Sequence, residues 1–360
     1  MTSKERMQRI LACKDVDRIG CYESFWGETQ AAWAAQGHVK PDTDLLAHFG
    51  YDMRSAGWFN VVADLDFKDE VVEETAETKL VRNGNGALLR WHKLHASTPE
   101  HVDFLVKDRA GWDKHTRPRL LRHQDYPRRV DVEGYRKARA RCAEQGLFFC
   151  WGGVSVFECM HPLCGHEHML MGMALDPDWV KDMADTYAQL TLDLFEYLFT
   201  REGLPDGLFF YEDMGFKEHP FMSPAMYREL IWPAHKRLFD YGKSHRLPVI
   251  VHSCGFVEPL VPGMIEAGMD CLQAMEVKAG MDLPRLKRLY GDRIAFMGGL
   301  DVRTMVANDL DAVEAELQAK LPVAMEHSGY ILHSDHSIPP QVNYDTYRYF
   351  LRRGLEIGTY

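Results

Sequence analysis

Residues Arg246–Gly255 read RLPVIVHSCG: a charge-free run of Pro248, Val249, Ile250 and Val251 that gives way to His252, Cys254 and Gly255. A short apolar run of this kind fits a strand buried on both faces, the situation of a parallel sheet. Alternate residues of a strand share a face, so the imidazole of His252 and the thiol of Cys254 leave its end into one space. Both groups are zinc donors. Alone, the pair is better read as a histidine and a cysteine hydrogen-bonded in a loop, and the rest of the chain has to decide.

Outward from this strand the pattern repeats. LFFCWGG (147–153) and GLFFYED (207–213) precede it; DCLQAME (270–276), IAFMGGLD (294–301) and YILHSDH (330–336) follow. Helical stretches separate the strands. Asp176-Pro177 is a cap followed by proline at the first helical position, and Gly203 closes that helix. Ser223-Pro224 opens the next one, in which Pro233 predicts a kink. Six strand–helix units with room for two more upstream predict a parallel (β/α)8 TIM barrel. It would be one domain over 1–360 with an N-terminal helical extension (residues 1–14). Arg18–Tyr22 fits one upstream strand, residues 27–60 read as helical and aromatic-rich, and 96–145 as polar and helical. Between them, the alternating segment 70–95 turns at Asn83-Gly84-Asn85-Gly86, a hairpin signal. Residues 60–100 are therefore expected to be a β-hairpin excursion at the barrel mouth.

In such barrels chemistry sits at the C-terminal strand ends. Those ends carry Glu212 and Asp213, His252 and Cys254, Gln273 and Glu276, Asp301, and His333, Asp335 and His336. His252, Cys254 and His336 with Glu212 as an exchangeable carboxylate make a donor set of the catalytic zinc kind. A rival cluster is CMHPLCGHEH, Cys159–His168. Its C-x4-C and H-x4-H spacing matches no common structural-zinc pattern, so an active-site loop is expected there.

The 360 residues are 46% hydrophobic and 26% charged, with net charge −11, which speaks against a nucleic-acid partner. The opening MTSKERMQRILACKD has charge where a signal peptide needs an apolar core, and no run reaches membrane-spanning length. Eight cysteines without a disulfide framework fit a reduced, cytoplasmic protein.

The opening KERMQRILACKDVDRIG, the segment SPAMYRELIWPAHKRLFDYGKSHRLPVIVHSCG, the segment MIEAGMDCLQAMEVKAGMDLPRLKRLYGDRIAFMGGLDVRTM and GYILHSDHSIPP together resemble the uroporphyrinogen decarboxylase superfamily, specifically its zinc-dependent, corrinoid-linked methyltransferase branch. The resemblance implies zinc bound by a His-x-Cys after one strand and a Cys after the last. His252 and Cys254 match the first pair, and His336 stands where the Cys would be. Glu212 is then the expected fourth, displaceable ligand, with Glu276 as the alternative. Porphyrinogen decarboxylases carry an N-terminal arginine motif for substrate carboxylates. The corresponding CYESFWGETQAAW has no arginine and offers Glu23 and Glu28 instead.

These features predict methyl transfer between a small substrate and a corrinoid (cobalamin) carried by a separate protein, since no D-x-H-x-x-G corrinoid motif is present. Either a thiol acceptor is activated as thiolate, or a methoxylated aromatic ether loses its methyl in an O-demethylation. Each of the aromatic residues near the N-terminus (Phe25, Trp26, Trp33, Trp58, Phe59) is better read as ordinary core, but together with His336 in place of the Cys they tilt the balance slightly to the ether. Glu212 and Asp213 are expected to be catalytic, and Asp335 to orient a histidine ligand or cap a helix. Phe25, Trp26, Gln273, Glu276, Asp301 and His333 are expected around the substrate, and a homodimer fits such a fold. The alternatives are a metal-free, decarboxylase-like lyase at the same mouth and a barrel whose zinc is structural.

Overall fold

The computed structural model describes residues 1–94 and 98–360. Eight strands lie in one all-parallel sheet: β1 (Gly20–Cys21), β2 (Met53–Ala56), β7 (Phe148–Val154), β8 (Gly207–Tyr211), β9 (Val249–Ser253), β10 (Cys271–Ala274), β11 (Ala295–Gly298) and β12 (Tyr330–Leu332). Their order is β1-β12-β11-β10-β9-β8-β7-β2, a nearly closed barrel with helices outside. This is the expected (β/α)8 TIM barrel. The N-terminal helix is Ser3–Ile10. Among the described residues, no helix is long and apolar enough to cross a membrane.

The seam between β1 and β2 is closed by one residue. Asp52 N–H donates to the Cys21 carbonyl at 2.9 Å, and the Asp52 carboxylate accepts Cys21 N–H, also at 2.9 Å. The same buried carboxylate holds Arg6 at 2.7 Å, Arg18 at 2.7 Å and Ser3 at 2.8 Å. One aspartate thus replaces a ladder and anchors the N-terminal helix.

A second sheet is antiparallel: β3 (Glu70–Glu74), β4 (Thr78–Arg82), β5 (Leu88–His92) and β6 (Glu100–Asp103). The hairpin expected at Asn83–Gly86 is β4–β5, with Arg82 opposite Leu88. It is the middle of a four-stranded meander, and its last strand lies beyond residue 100; His95 falls outside the described residues. Two other readings need correction. The stretch 27–60 contains strand β2, whose four residues are too few to show a period. The stretch 96–145 begins with β6 before turning helical at Arg109. The proline kink takes the form of a π-helical turn, Tyr227–Ile231, entering the α-helix Trp232–Ser244 with Pro233 in its first turn. A proline offers no N–H to the preceding turn, and a widened turn tolerates that.

The barrel interior is filled. Tyr22 packs on Phe209 (6.5 Å between centroids) and on His333 (5.9 Å). Strand β8 sets which residues reach this space: Phe209 stacks on Tyr211 at 5.0 Å inside, while Phe210 faces Phe195 and Phe239 of the surrounding helices. Odd residues point in and even ones out.

Candidate metal centre at the barrel mouth

That alternation sends Glu212 outward and Asp213 back over the bore. Asp213 Oδ1 lies 3.2 Å from His252 Nε2, which is 3.2 Å from Cys254 Sγ. Oδ1 also accepts the Cys254 N–H at 2.8 Å. The three donor atoms lie within 4.8 Å of one another, at the ends of neighbouring strands β8 and β9. An imidazole, a thiolate and a carboxylate gathered so closely suit zinc, with a fourth position left for substrate. Burial tends to raise the Asp213 carboxyl, but its bond to His252 prevails and holds it at about 2. Burial works against charge on His252, yet Cys254 and Asp213 raise its pKa well above the ordinary value. Burial pushes the Cys254 thiol up, against the pull of His252.

A chain of side chains crosses the bore from this centre. His252 Nδ1–H donates to Gln273 Oε1, which fixes the tautomer presenting Nε2 to the cluster. Gln273 Nε2 lies 3.3 Å from His333 Nε2, and that nitrogen is 3.1 Å from Glu23 Oε1. Burial pushes Glu23 up to about 8 and His333 down to about 4. At neutral pH the pair is an uncharged carboxylic acid beside a neutral imidazole. A folded-state pKa raised above the unfolded one gives stability that is complete below the unfolded pKa and lost as pH rises through the folded value. Relative to Glu23→Gln, the wild type should therefore lose stability between about pH 4.5 and pH 8. Urea midpoints across that range check it; parallel curves would place the ionised carboxylate in the fold. Gln273→Ala should weaken metal binding by ~10–100-fold, as loss of a ligand-orienting partner does, measured by competition with a chelator.

The other expected site residues are placed as follows. Glu212 is fully buried and does not join the cluster: it accepts Phe157 N–H and Glu158 N–H at 3.0 Å each and pairs with His235. It caps the helix Val156–Leu175 from outside the bore, because its even parity in β8 points it there. Tyr211, of the same odd parity as Asp213, packs on His252 at 5.2 Å. His336 lies outside the donor group and stacks on Trp26 at 6.1 Å. Asp335 is buried and braces two loops, accepting Val277 N–H at 2.8 Å and Val302 N–H at 2.9 Å; it orients no histidine. Asp301 caps the helix Val302–Val306 and pairs with Arg303 at 2.6 Å, away from any ligand role. Glu276 accepts Gly255 N–H at 3.0 Å beside the cluster. Phe25, Trp33 and Phe59 are packing residues: Phe25 lies against Trp33 and Tyr347, and Phe59 against Trp151. Trp58 stays 49% exposed beside Tyr211, so it and Trp26 are the aromatics of that set near the mouth.

The rim holds a second cluster, His101, His161 and His166. His161 and His166 come from the helix Val156–Leu175, inside the Cys159–His168 stretch, while His101 comes from β6. The two cysteines of that stretch, Cys159 and Cys164, are buried away from it. His101 was missed because nothing in the sequence links a meander strand to a helix sixty residues on.

The fold and site define a parallel β/α barrel whose C-terminal mouth gathers side chains of the kinds that can hold a metal. The profile of the family "Uroporphyrinogen decarboxylase (URO-D)" matches residues 149–354, more than half the chain, and the chain belongs to that family. A uroporphyrinogen decarboxylase of Streptomyces avermitilis is 28% identical over 184 residues, 51% of this chain and 49% of the relative. A methylated-thiol–coenzyme M methyltransferase of Methanosarcina mazei is 31% identical over 87 residues, 24% of this chain and 22% of that one. The chain thus spans half or less of the length of these curated relatives. A solved methyltransferase structure from M. mazei superposes with a TM-score of 0.70 at 16% identity, covering 99% of both chains, and shares the fold.

Proposed function

We propose that this protein is a zinc-dependent methyltransferase that exchanges a methyl group between a small substrate and a corrinoid held by a separate protein. The observation carrying this reading is the convergence of Asp213, His252 and Cys254 donor atoms on one point at the mouth. A zinc bound there supplies Lewis acidity to a substrate oxygen or sulfur. Everything else is done by the chain. Gln273 holds His252 by its Nδ1–H, keeping Nε2 aimed at the cluster. The Cys254 backbone N–H fixes the Asp213 carboxylate, and Glu276 fixes the loop beyond through Gly255. Tyr211 and Trp58 form an aromatic wall beside His252, suited to a flat ring. That wall favours a methoxylated aromatic over a simple thiol as the substrate. Glu23, neutral and tucked against His333, gives no cationic partner for a poly-carboxylated porphyrinogen.

The test is metal content of the chain beside Asp213→Ala and His252→Ala, followed by methyl transfer from methoxylated aromatics and from methylated thiols to added corrinoid protein. One mouth-bound zinc lost in both variants together with activity is the expected result. Undiminished methyl transfer after chelation would overturn the zinc-dependent reading, and absence of methyl transfer from every donor would favour the metal-free lyase.

A further inference from the structure

The four-stranded sheet has a small core of its own, Ala87, Leu89 and Phe104, apart from the main one. It meets the barrel where the helix Val156–Leu175 breaks at Gly165, whose φ is +75°. A Cβ at Gly165 would lie 2.5 Å from the Phe104 ring, so the ring seats directly on the break. Beside this contact the imidazoles of His101, His161 and His166 form a stack. His161 and His166 are 4.3 Å apart between centroids, and His101 lies 5.9 Å and 5.7 Å from them. Their ligand nitrogens lie within 4.8 Å of one another. Glu158 stands behind, its carboxylate 3.0 Å from His161 Nε2. The other ring nitrogen of His161, Nδ1, is buried with no hydrogen-bond partner among the described residues. Three stacked imidazoles and an unpartnered buried nitrogen are poorly explained by packing alone. Imidazole lone pairs that share one space are what zinc and its neighbours in the transition series prefer.

We propose that His101, His161 and His166 bind a second divalent transition-metal ion, of the zinc type, which fastens the four-stranded sheet to the rim of the barrel. The site contains no thiolate, and this sets it apart chemically from Asp213, His252 and Cys254. One ligand comes from the sheet and two from the barrel helix, so the ion joins parts that otherwise meet through Phe104 and its neighbours. The proposal does not depend on the mouth centre.

Cobalt(II) titration of the metal-stripped full chain separates the two centres. A cysteine-bearing site gives a thiolate-to-cobalt charge-transfer band in the near ultraviolet; an all-imidazole site does not. The wild type should take up two equivalents. Cys254→Ser should take up one, without the band, and His101→Ala one, with it. The metal retained by Cys254→Ser should be lost on adding either His101→Ala or His166→Ala. His101 is half-buried on a sheet edge, so its variant tests the site without emptying a core. A Cys254→Ser protein that binds no cobalt, or binds it undiminished after both histidine changes, would overturn the proposal.

Discussion

Cys254→Ser is expected to remove most of the mouth-bound zinc and to lower methyl transfer by more than the ~10–100-fold that loss of an outer partner costs. Thiolate is the softest donor in the set, and serine offers a hydroxyl that stays protonated. The residue lies at a loop start, half-buried, with its N–H held by Asp213 whatever its side chain. Compared metal-free, wild type and variant should therefore unfold within a few degrees of each other. The metal-bound wild type should gain stability that the variant lacks, because a ligand for the folded state alone stabilises by mass action. Calorimetry with and without chelator, beside metal analysis, reads all three quantities. A variant that keeps its zinc and its rate would remove Cys254 from the site. A variant that is destabilised equally with and without metal would assign the thiol to packing.

The neighbouring carboxylates of β8 should behave in opposite ways. Glu212→Ala is expected to destabilise the fold by ~3–5 kcal/mol, the range for breaking a buried charged pair. It strips the cap from Phe157 N–H and Glu158 N–H and leaves His235 unpaired in the interior. His235 cannot simply turn away: Tyr227 Oη lies 3.0 Å from its Nδ1, so its Nε2 stays aimed at the vacated place. Glu212→Gln should cost less, ~1–3 kcal/mol, since the amide can still accept one of the two backbone N–H groups. Zinc content per folded chain should be unchanged in both. Asp213→Ala should do the reverse, losing metal with little change in the metal-free unfolding midpoint. Urea melts and metal analysis on the pair decide the matter. A Glu212→Ala chain with normal stability and no zinc would restore Glu212 as the ligand.

That pair marks the boundary of what the sequence discloses. The barrel is legible because the strands β7 to β12 are apolar runs spaced by capped helices, each signal local to its own segment. His252 and Cys254 are legible because two residues on one strand share a face in any register. Choosing between Glu212 and Asp213 needs to know which parity faces the bore, and GLFFYED is aromatic on both faces. Phe210 finds helices to pack on just as Phe209 finds the bore, so hydrophobicity does not distinguish them. The same limit hides β2, four residues long among aromatics, and the partnership of His101 with His161, which only the docked sheet creates. Asp301 and Asp335 sit where active-site acids sit in such barrels, but backbone N–H groups and an arginine consume their oxygens.

Asp52 makes the barrel a ring with a clasp. Seven of its junctions are strand ladders; the eighth is one carboxylate gripping Cys21, Arg6 and Arg18. Counting round the ring, that junction lies opposite β9 and β10, which carry His252, Cys254 and Gln273. Three strand ladders on either side separate the clasp from those residues, so it stands as far from the candidate centre as the ring allows.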